Sequence, residues 1–374
     1  MEALQQEHLE WIVQRKVDEQ TLQLARLPGA KGGIGLPSPA FAAPAVFLAA
    51  QSRILPAIAR ILEMGSGATV LSQDPALEEQ VRAARRRLLE AGCRSHQVPF
   101  GPAAPTLTKK ARDMTKTLQQ RSLESLRSTL PPQKAARLHS QADSSSSAWI
   151  HEAFPGGEAK SGALWRTTYR QRLLLSAPGS PQAAPGRCGH RSAKGEPCSH
   201  DLDEAGVHDF LCNLGGAQDV RHSALRDWVA DKSRDAFGGS WATEQDVQPP
   251  LVERAGRMDI VGWLDGAPLL IDTVVPSNVT TDAQELKRRM VDATRAVRAA
   301  ERKKKTRYGA TVLGAAVEDT GRVGAGLQRY LRRLAARLDE DEPARGYRQL
   351  MSEVQWVVLG ATARMLQGAR RCQS

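Results

Sequence analysis

The sequence predicts an α+β or α/β fold, with a helical N-terminal region followed by a mixed-sheet domain of element order αβββαβ. Three observations support this fold class. Apolar residues recur at helical spacing through much of residues 1–140. Two apolar segments meet at Asp265 and Gly266, a dipeptide typical of a two-residue β-hairpin loop. A long amphipathic segment and another apolar strand follow, as expected of a helix that returns the chain to a sheet.

Composition narrows the functional classes. The chain has 374 residues, enough for two or three domains, and its formal net charge is +11. This excess of positive charge favours a polyanionic partner such as nucleic acid, although a basic surface alone is weak evidence. No apolar run reaches the ~18 residues of a membrane span, and the amphipathic, initially acidic N-terminus is unlike a signal peptide. We therefore expect an intracellular protein without a membrane partner.

Residues 1–140 are expected to form a helical connector region. The predicted helices cover residues 1–27, an apolar buried pair within 41–64, a charged helix at 75–91, and a basic stretch at 107–138 broken at Pro131 and Pro132. Charge runs such as the three arginines at 85–87 are usually solvated helix faces, and a nucleic-acid contact is the alternative.

Residues 141–187 are expected to be a linker with a short helix. The serine run at 144–147 indicates a flexible seam, and residues 176–187 are rich in Pro and Gly. We interpret the aromatic residues between them as a local core, with base stacking as the alternative. These aromatic residues are Trp149, Phe154, Trp165 and Tyr169.

Residues 188–216 combine three of the five cysteines with several histidines, which in a reducing compartment indicates metal binding rather than disulfides. The candidate ligands of a tetrahedral structural zinc ion are Cys188, Cys198, His208 and Cys212. His208 and Cys212 are four residues apart, about one helical turn, so both can face one ion. The alternative is a loop with reduced thiols and solvent-exposed histidines, among which His190 and His200 are spare candidates.

Residues 217–340 are expected to form the sheet domain, and residues 341–374 a C-terminal helix. The predicted elements are a helix at 221–237, a strand at 241–247, a hairpin at 258–275, a helix from 281 to about 305, a strand at 310–317, and helices at 323–338 and 347–368. Thr281 and Gln284 form a capping box at the start of the long helix, and four basic residues at 302–305 suit its C-terminus.

The hairpin carries two acidic residues among apolar ones. If the loop is residues 265–266, Leu264 faces Ala267, and counting outward places Asp259 directly opposite Asp272. Like charges at such positions destabilise a sheet, so a bound divalent cation is one explanation, since Mg²⁺ prefers carboxylates, waters and phosphate oxygens. The alternative is that each carboxylate merely flanks a turn or a solvent edge. Pro268 lacks an N–H and could shift this register.

Several segments resemble a known protein family. GRMDIVGWLDGAPLLIDTVV is similar to the basic-Pro-Asp motif and second acid of the PD-(D/E)XK restriction-like nucleases. CNLGGAQDVRHSALRDWV resembles the signature that follows the zinc knuckle in non-LTR retrotransposon reverse transcriptase polyproteins, and KKKTRYGATVLGAAVEDTGRVG resembles their downstream Lys-x-x-x-Tyr segment and Thr-Gly-Arg-x-Gly turn. The resemblance covers nearly the whole chain, and it corresponds to the C-terminal region of such a polyprotein.

The resemblance implies a metal-dependent endonuclease that nicks target DNA, with Asp259 and Asp272 holding Mg²⁺ or Mn²⁺. A lysine, Lys304 or its neighbours at 303 and 305, would orient the attacking water or stabilise negative charge on the phosphate. Glu244 is a further candidate carboxylate at the sheet edge. A structural zinc ion, DNA and element RNA as partners, and a nuclear location are implied as well.

The sequence departs from the family pattern at defined positions. Met258 stands where the family has Pro, and Thr273 and Val274 follow Asp272, so no lysine lies two residues after the second acid. A Tyr-x-Asp-Asp motif of a reverse transcriptase is absent from the sequence. The competing hypothesis is therefore a catalytically dead, zinc-stabilised nucleic-acid-binding remnant that depends on Arg and Lys contacts to phosphate. A helical protein-interaction scaffold is a third hypothesis.

Overall fold

The computed structural model describes residues 2–36, 38–94, 98, 108–150, 162–175, 188, 190–192, 194–201, 207–264 and 266–371. Within these residues the protein is mostly helical, with N-terminal helices and a four-stranded mixed sheet interleaved with helices, an α+β arrangement. The predicted fold class is confirmed at this level. The predicted linker at 176–187 and residue 265 of the hairpin loop lie outside the described residues.

The N-terminal region is helical, as predicted. Its helices are α1 (Glu2–Val13), α2 (Glu19–Arg26), α3 (Pro39–Ile61), α4 (Gly67–Ser72), α5 (Pro75–Glu90), α6 (Thr108–Thr129), α7 (Pro132–Gln141) and α8 (Gly162–Arg172). Asp18, Ser38 and Asp74 each cap a following helix by accepting a hydrogen bond from a backbone N–H in its first turn. Two separate apolar clusters result, one around α1, α2 and α6 and one around α3 and α5.

Helix α3 differs from its prediction. It is one continuous helix through Pro44 and Pro56 rather than a pair, and Val46, Ile54 and Ile61 are exposed. Its Phe41–Ile61 stretch is therefore long and apolar enough to cross a membrane by length and composition, although the sequence contains no unbroken apolar run of that length. One such helix is weak evidence, since core helices of other proteins satisfy the same criterion.

The sheet follows the chain in the order β1 (Ala242–Val247), β2 (Gly256–Leu264), β3 (Ala267–Val274), β4 (Leu313–Ala316). The first three strands are antiparallel neighbours, and β4 lies parallel to β3. Such a parallel pair needs a crossover connection. That connection is helical, as predicted, but it consists of α11 (Ala283–Val291) and α12 (Arg295–Tyr308) rather than one long helix.

The break in the crossover helix lies at residues 292–294. The Asp292 carboxylate accepts hydrogen bonds from the backbone N–H and hydroxyl of Thr294. These local hydrogen bonds compete with the backbone hydrogen bonds of a continuous helix. The N-cap is also shifted by one residue from the predicted Thr281, because the Asp282 carboxylate accepts from the N–H groups of Gln284 and Glu285.

Helices cover both faces of the sheet. One face packs against α10 (Ala217–Phe237), α13 (Ala325–Leu338) and α14 (Pro343–Arg371) in the largest apolar cluster, to which Ile260 and Ile271 contribute. The other face carries a smaller cluster that includes Leu270 of β3 and Tyr308 at the end of α12. The end of α12 is thus held against the face of the sheet opposite α10.

The serine run at 144–147 is not the flexible seam that its composition indicates. Residues Ser144–Ser146 form a 3-10 turn, and Ser146 is completely buried with its hydroxyl donating to the Gln141 carbonyl. The nearby aromatic side chains pack as a core, as predicted, because Trp149 and Trp165 both contact Trp356 of α14 edge-on. Phe154 lies outside the described residues.

A buried polar cluster joins the helical region to the sheet domain. Glu318, which has no exposed surface, accepts hydrogen bonds from the hydroxyls of Ser140 in α7 and of Thr320. Arg322 donates to the Ser140 carbonyl at 2.9 and 2.6 Å. Since Ser140 is 178 residues from Glu318 and 182 from Arg322, no local pattern predicts these contacts.

Candidate functional site

The two hairpin aspartates lie at the point where the β2–β3 ladder ends. The ladder runs from Leu264↔Ala267 to Ile260↔Ile271, and Pro268 pairs with Trp263 without shifting the register. The predicted register is therefore confirmed over these pairs, and it makes Asp259 and Asp272 the next residue on each strand. Their carboxyl groups are close enough for each to affect the ionisation of the other.

Asp259 is held by three donors on one oxygen. Its Oδ2 accepts from the Thr273 backbone N–H at 2.6 Å, from the Thr273 hydroxyl at 2.8 Å and from His222 Nε2 at 2.9 Å. Burial opposes ionisation of Asp259, but the His222 hydrogen bond and charge outweigh it, so the pKa falls well below its ordinary value. The same hydrogen bond raises the pKa of His222 in spite of burial. Asp259 is therefore a carboxylate at neutral pH.

Asp272 has a different environment. Its side chain is 3% exposed, and Lys304 Nζ donates to its Oδ1 at 2.6 Å. Burial raises the pKa of Asp272, and neighbouring Asp259 adds to that rise, whereas Lys304 opposes it. Its Oδ2 is buried and accepts no hydrogen bond from the part of the chain that the structure describes. A buried carboxylate oxygen without a donor beside a second carboxylate fits a cation-binding position.

Lys304 reaches the aspartates because of the way α12 ends. Tyr308, one turn later on the same helical face, packs into the apolar cluster of the sheet and donates its hydroxyl to the Arg257 carbonyl at 3.3 Å. Of the three candidate lysines, Lys304 is half-buried against Asp272, whereas Lys303 and Lys305 are exposed.

Glu244 is near the aspartates in the sheet but is engaged elsewhere. The β1–β2 ladder pairs Thr243 with Ile260 and Gln245 with Met258, and Glu244 between them has a φ of +55°. Its carboxylate forms ion pairs with Arg226 and Arg257. The structure therefore does not bring Glu244 into contact with the aspartate pair.

His222 is the site residue that the sequence interpretation missed. It lies on α10, three and seven residues before Leu225 and Val229, which are both buried in the core. The sequence does carry a signal for this residue, because a histidine on the core-facing side of an amphipathic helix indicates a possible site residue. Its imidazole contacts Asp259 and also lies 3.2 Å from the Thr273 hydroxyl.

The predicted zinc ligands form one buried cluster. The ligand atoms of Cys188, Cys198, His208 and Cys212 all lie within 4.8 Å of one another. Cys198 Sγ is 3.3 Å from His208 Nε2, and Cys188 Sγ is 3.7 Å from Cys212 Sγ. Three cysteines and one histidine at these separations match the donor set of a structural zinc site, so the cluster could bind a zinc ion.

The long spacing between the first two cysteines is bridged by a small antiparallel loop. The Cys198 N–H donates to the His190 carbonyl at 2.8 Å, and the Cys188 N–H donates to the His200 carbonyl at 2.9 Å. This pairing brings Cys188 and Cys198 side by side. Helix α9 (Val207–Leu211) then supplies His208, with Cys212 directly after it.

The two spare histidines are placed outside the cluster. His190 is buried and its Nε2 lies 3.3 Å from the Met365 carbonyl of α14. His200 stacks on the His208 ring, with its Nδ1 3.6 Å from Cys198 Sγ. Burial raises the pKa of Cys188 and of Cys212, so the thiols stay neutral unless a cation stabilises the thiolates.

Comparison with known proteins adds no assignment: neither a protein-family model nor a curated protein matches the sequence. The functional conclusion therefore depends on the site itself.

Proposed function

We propose that this chain is a metal-dependent DNA endonuclease that nicks target DNA, built on a restriction-like fold from the C-terminal part of a retrotransposon reverse transcriptase polyprotein. The observation that carries the proposal is the pair of neighbouring carboxyl groups, Asp259 and Asp272, at the end of a β-ladder, with Lys304 bonded to Asp272. The motif resemblance and the order of helices and strands around β2 and β3 support it.

Asp259 and Asp272 would hold Mg²⁺ or Mn²⁺, and the Oδ2 of Asp272 is the buried acceptor that such an ion would satisfy. When bound, this cation would polarise the scissile phosphate and lower the pKa of the attacking water. The chain supplies the remaining functions. His222 and Thr273 fix the orientation of Asp259 and keep it ionised.

Lys304 is suited to act on the phosphate. Its Nζ lies at the edge of the aspartate pair with 21% of its side chain exposed, so a phosphate oxygen can approach it. An ammonium at this position would orient the attacking water or stabilise the negative charge that develops on the phosphate. The exposed basic residues that surround it on α12 would bind neighbouring phosphates.

The cysteine cluster would hold a structural zinc ion rather than a catalytic one. All four positions of a tetrahedral site are supplied by protein side chains, which leaves no open position for a substrate. The apolar cluster around the ligands is small, so the bound metal, rather than an apolar core, would stabilise this segment.

The test is nicking of supercoiled plasmid DNA in the presence of Mg²⁺. The wild type is expected to convert supercoiled plasmid to the open circular form, and Asp259→Ala is expected to lose this activity while it keeps its circular dichroism spectrum and DNA binding. Asp246→Ala removes an exposed aspartate from the adjacent strand and serves as the matched control. Equal nicking by Asp259→Ala and the wild type would refute the proposal.

The second candidate is a catalytically dead, zinc-stabilised nucleic-acid-binding remnant. Two observations favour it: Lys304 is already ion-paired with Asp272, and Asp259 Oδ2 already accepts three hydrogen bonds within the fold. This candidate predicts binding to DNA or element RNA that weakens steeply with salt, and no nicking at any Mg²⁺ concentration. The same plasmid assay, run beside a salt titration of binding, separates the two.

A further inference from the structure

The tip of the β2–β3 hairpin extends beyond its neighbours in the sheet. Strand β1 pairs with β2 only as far as Val261, and β4 pairs with β3 only from Ile271 onward. In the described part of the sheet, the remaining hairpin pairs, from Gly262↔Leu269 to Leu264↔Ala267, have no third strand beside them. The result is a projecting two-stranded ribbon, a shape that fits nucleic-acid grooves.

Trp263 is the large exposed side chain of this ribbon. Its residue surface is 59% exposed, and its cross-strand neighbour Pro268 is exposed as well. The preceding residue, Gly262, is covered by the Trp241 ring on the side of the large apolar cluster, so Trp263 points to the opposite face.

That face also carries Asp272 and Lys304 of the candidate active site. Residues 268, 270 and 272 alternate along β3, so Asp272 lies on the same face as Pro268 and its partner Trp263. Asp272 lies four residues after Pro268 along the strand, a distance of roughly 13 Å. Because Lys304 contacts Asp272, the basic C-terminal part of α12 approaches this face. The exposed cations there are Arg302, Lys303, Lys305 and Arg307.

We propose that Trp263 is a stacking platform for an unpaired nucleobase of the nucleic-acid strand that the aspartate site would act on. The proposal rests on the proposed nuclease function and adds a binding residue to it. An exposed indole on the sheet face against which the basic helix α12 packs offers the two contacts that single-stranded nucleic acid uses: a flat ring for a base and positive charge for phosphates. A separation of roughly 13 Å corresponds to about four nucleotides at B-form spacing, so one strand can reach both places.

The test compares two single strands of about 20 nucleotides, an oligothymidylate and a strand of abasic residues, bound without added Mg²⁺ so that no cleavage occurs. Trp263→Ala is expected to weaken binding to the oligothymidylate about tenfold and to leave binding to the abasic strand unchanged. Trp263→Phe, which keeps a ring, is expected to stay within about threefold of the wild type. Trp11→Ala is the matched control, because Trp11 is 74% exposed on α1, in the N-terminal helices.

Equal affinity of Trp263→Ala and the wild type for the oligothymidylate would overturn the proposal, and so would an equal loss on both strands. Since this assay needs no catalysis, a protein that fails to nick plasmid but shows the base-dependent effect loses only the nuclease proposal. A protein that nicks plasmid without the base-dependent effect loses only the role of Trp263. Failure to bind either strand contradicts the role of Trp263 as well.

Discussion

The aspartate pair and the cysteine cluster are both groups of metal-ligand side chains, but they are built in opposite ways. Asp259 and Asp272 lie on regular strands next to Ile260 and Ile271, which belong to the largest apolar cluster among the described residues. The cysteine cluster lies mostly in loop backbone, with the short helix α9 as its one regular element, and its immediate apolar cluster consists mainly of the cysteines themselves. The first site has a scaffold that exists without metal, whereas the second depends on its ligands for shape.

Accessibility separates the two sites as well. The three cysteines are 2–4% exposed and the donor set is complete, whereas His222 and Lys304 beside the aspartates keep 34% and 21% of their side chains exposed. The carboxylates themselves are mostly buried, with Asp259 15% and Asp272 3% exposed, so only the neighbouring His222 and Lys304 open this site to solvent. A closed set of four ligands suits a structural ion, and carboxylates with partly exposed neighbours suit an ion that meets a substrate. Loss of ligands should therefore affect stability at one site and activity at the other.

The largest expected effect is the loss of zinc from the cysteine cluster. Cys198→Ser is expected to reduce the zinc content from about one ion per chain to nearly none, because structural zinc in small motifs contributes about 10 kcal/mol of folding free energy. Protection of residues around the cluster from hydrogen exchange should fall with it. Cys93→Ser, at a buried thiol in the N-terminal helices, is the matched control and should retain its zinc.

The second effect concerns activity rather than stability. Asp272→Asn is expected to reduce nicking about a hundredfold or more, because it removes a ligand charge from the proposed cation site. Its free energy of unfolding should stay near or above that of the wild type, since the substitution removes a buried charge beside Asp259. Chemical denaturation measures this directly. A large loss of stability together with activity would mean that the pair is structural.

Glu318 is a buried acidic residue outside the aspartate pair, so its effect on stability can be measured apart from activity. Complete burial raises its pKa to about 7, although Ser140 and Thr320 hydrogen-bond to it. The folded protein therefore binds this proton more tightly than the unfolded chain does, so the stabilisation is full below pH 4.5 and is lost as pH rises to about 7. The loss is on the order of 3 kcal/mol.

The measurement is urea denaturation of the wild type and Glu318→Gln across this pH range. The wild type should gain stability relative to the variant as pH falls from about 7 to 4.5, and the difference should be constant outside that window. A difference that changes in the opposite direction would contradict the pKa shift. Nicking per folded molecule should be the same in both proteins, because Glu318 belongs to the contact between α7 and the sheet domain.

The smallest effect is expected at His222, which touches Asp259 rather than the proposed ion. His222→Ala is expected to raise the Mg²⁺ concentration for half-maximal nicking about tenfold, as is typical when a group that orients a metal ligand is removed. The maximal rate at saturating Mg²⁺ should change less. His8→Ala, at an exposed histidine of α1, provides the control. An unchanged Mg²⁺ dependence would show that His222 does not position Asp259.

The sequence predicts the features of these sites that depend on local spacing. The register of the hairpin follows from a two-residue loop and alternating apolar residues, and the one-turn spacing of His208 and Cys212 places both beside one ion. Both predictions concern residues that are close in the chain or tied by a tight turn, where few conformations are available.

Other features depend on contacts between distant segments. The Asp259–His222 hydrogen bond spans 37 residues, and the Ser140–Glu318 contact spans 178. The serine run at 144–147 has a composition typical of a flexible linker, yet Ser146 and Ser147 are buried, and the Ser145 carbonyl accepts hydrogen bonds from Gln355 of α14 and from the Val323 N–H. Tertiary packing of this kind overrides local propensity, so it cannot be inferred from one sequence.

The central claim is that Asp259 and Asp272 together bind one divalent cation. Titration of the zinc-loaded protein with Mn²⁺, followed by electron paramagnetic resonance of the free ion, tests it most directly. The account predicts about one Mn²⁺ bound per wild-type chain and none in Asp272→Asn, because the variant lacks one of the carboxylates through which such hard ions are held. Equal Mn²⁺ binding by the two proteins, or none by the wild type, would contradict it.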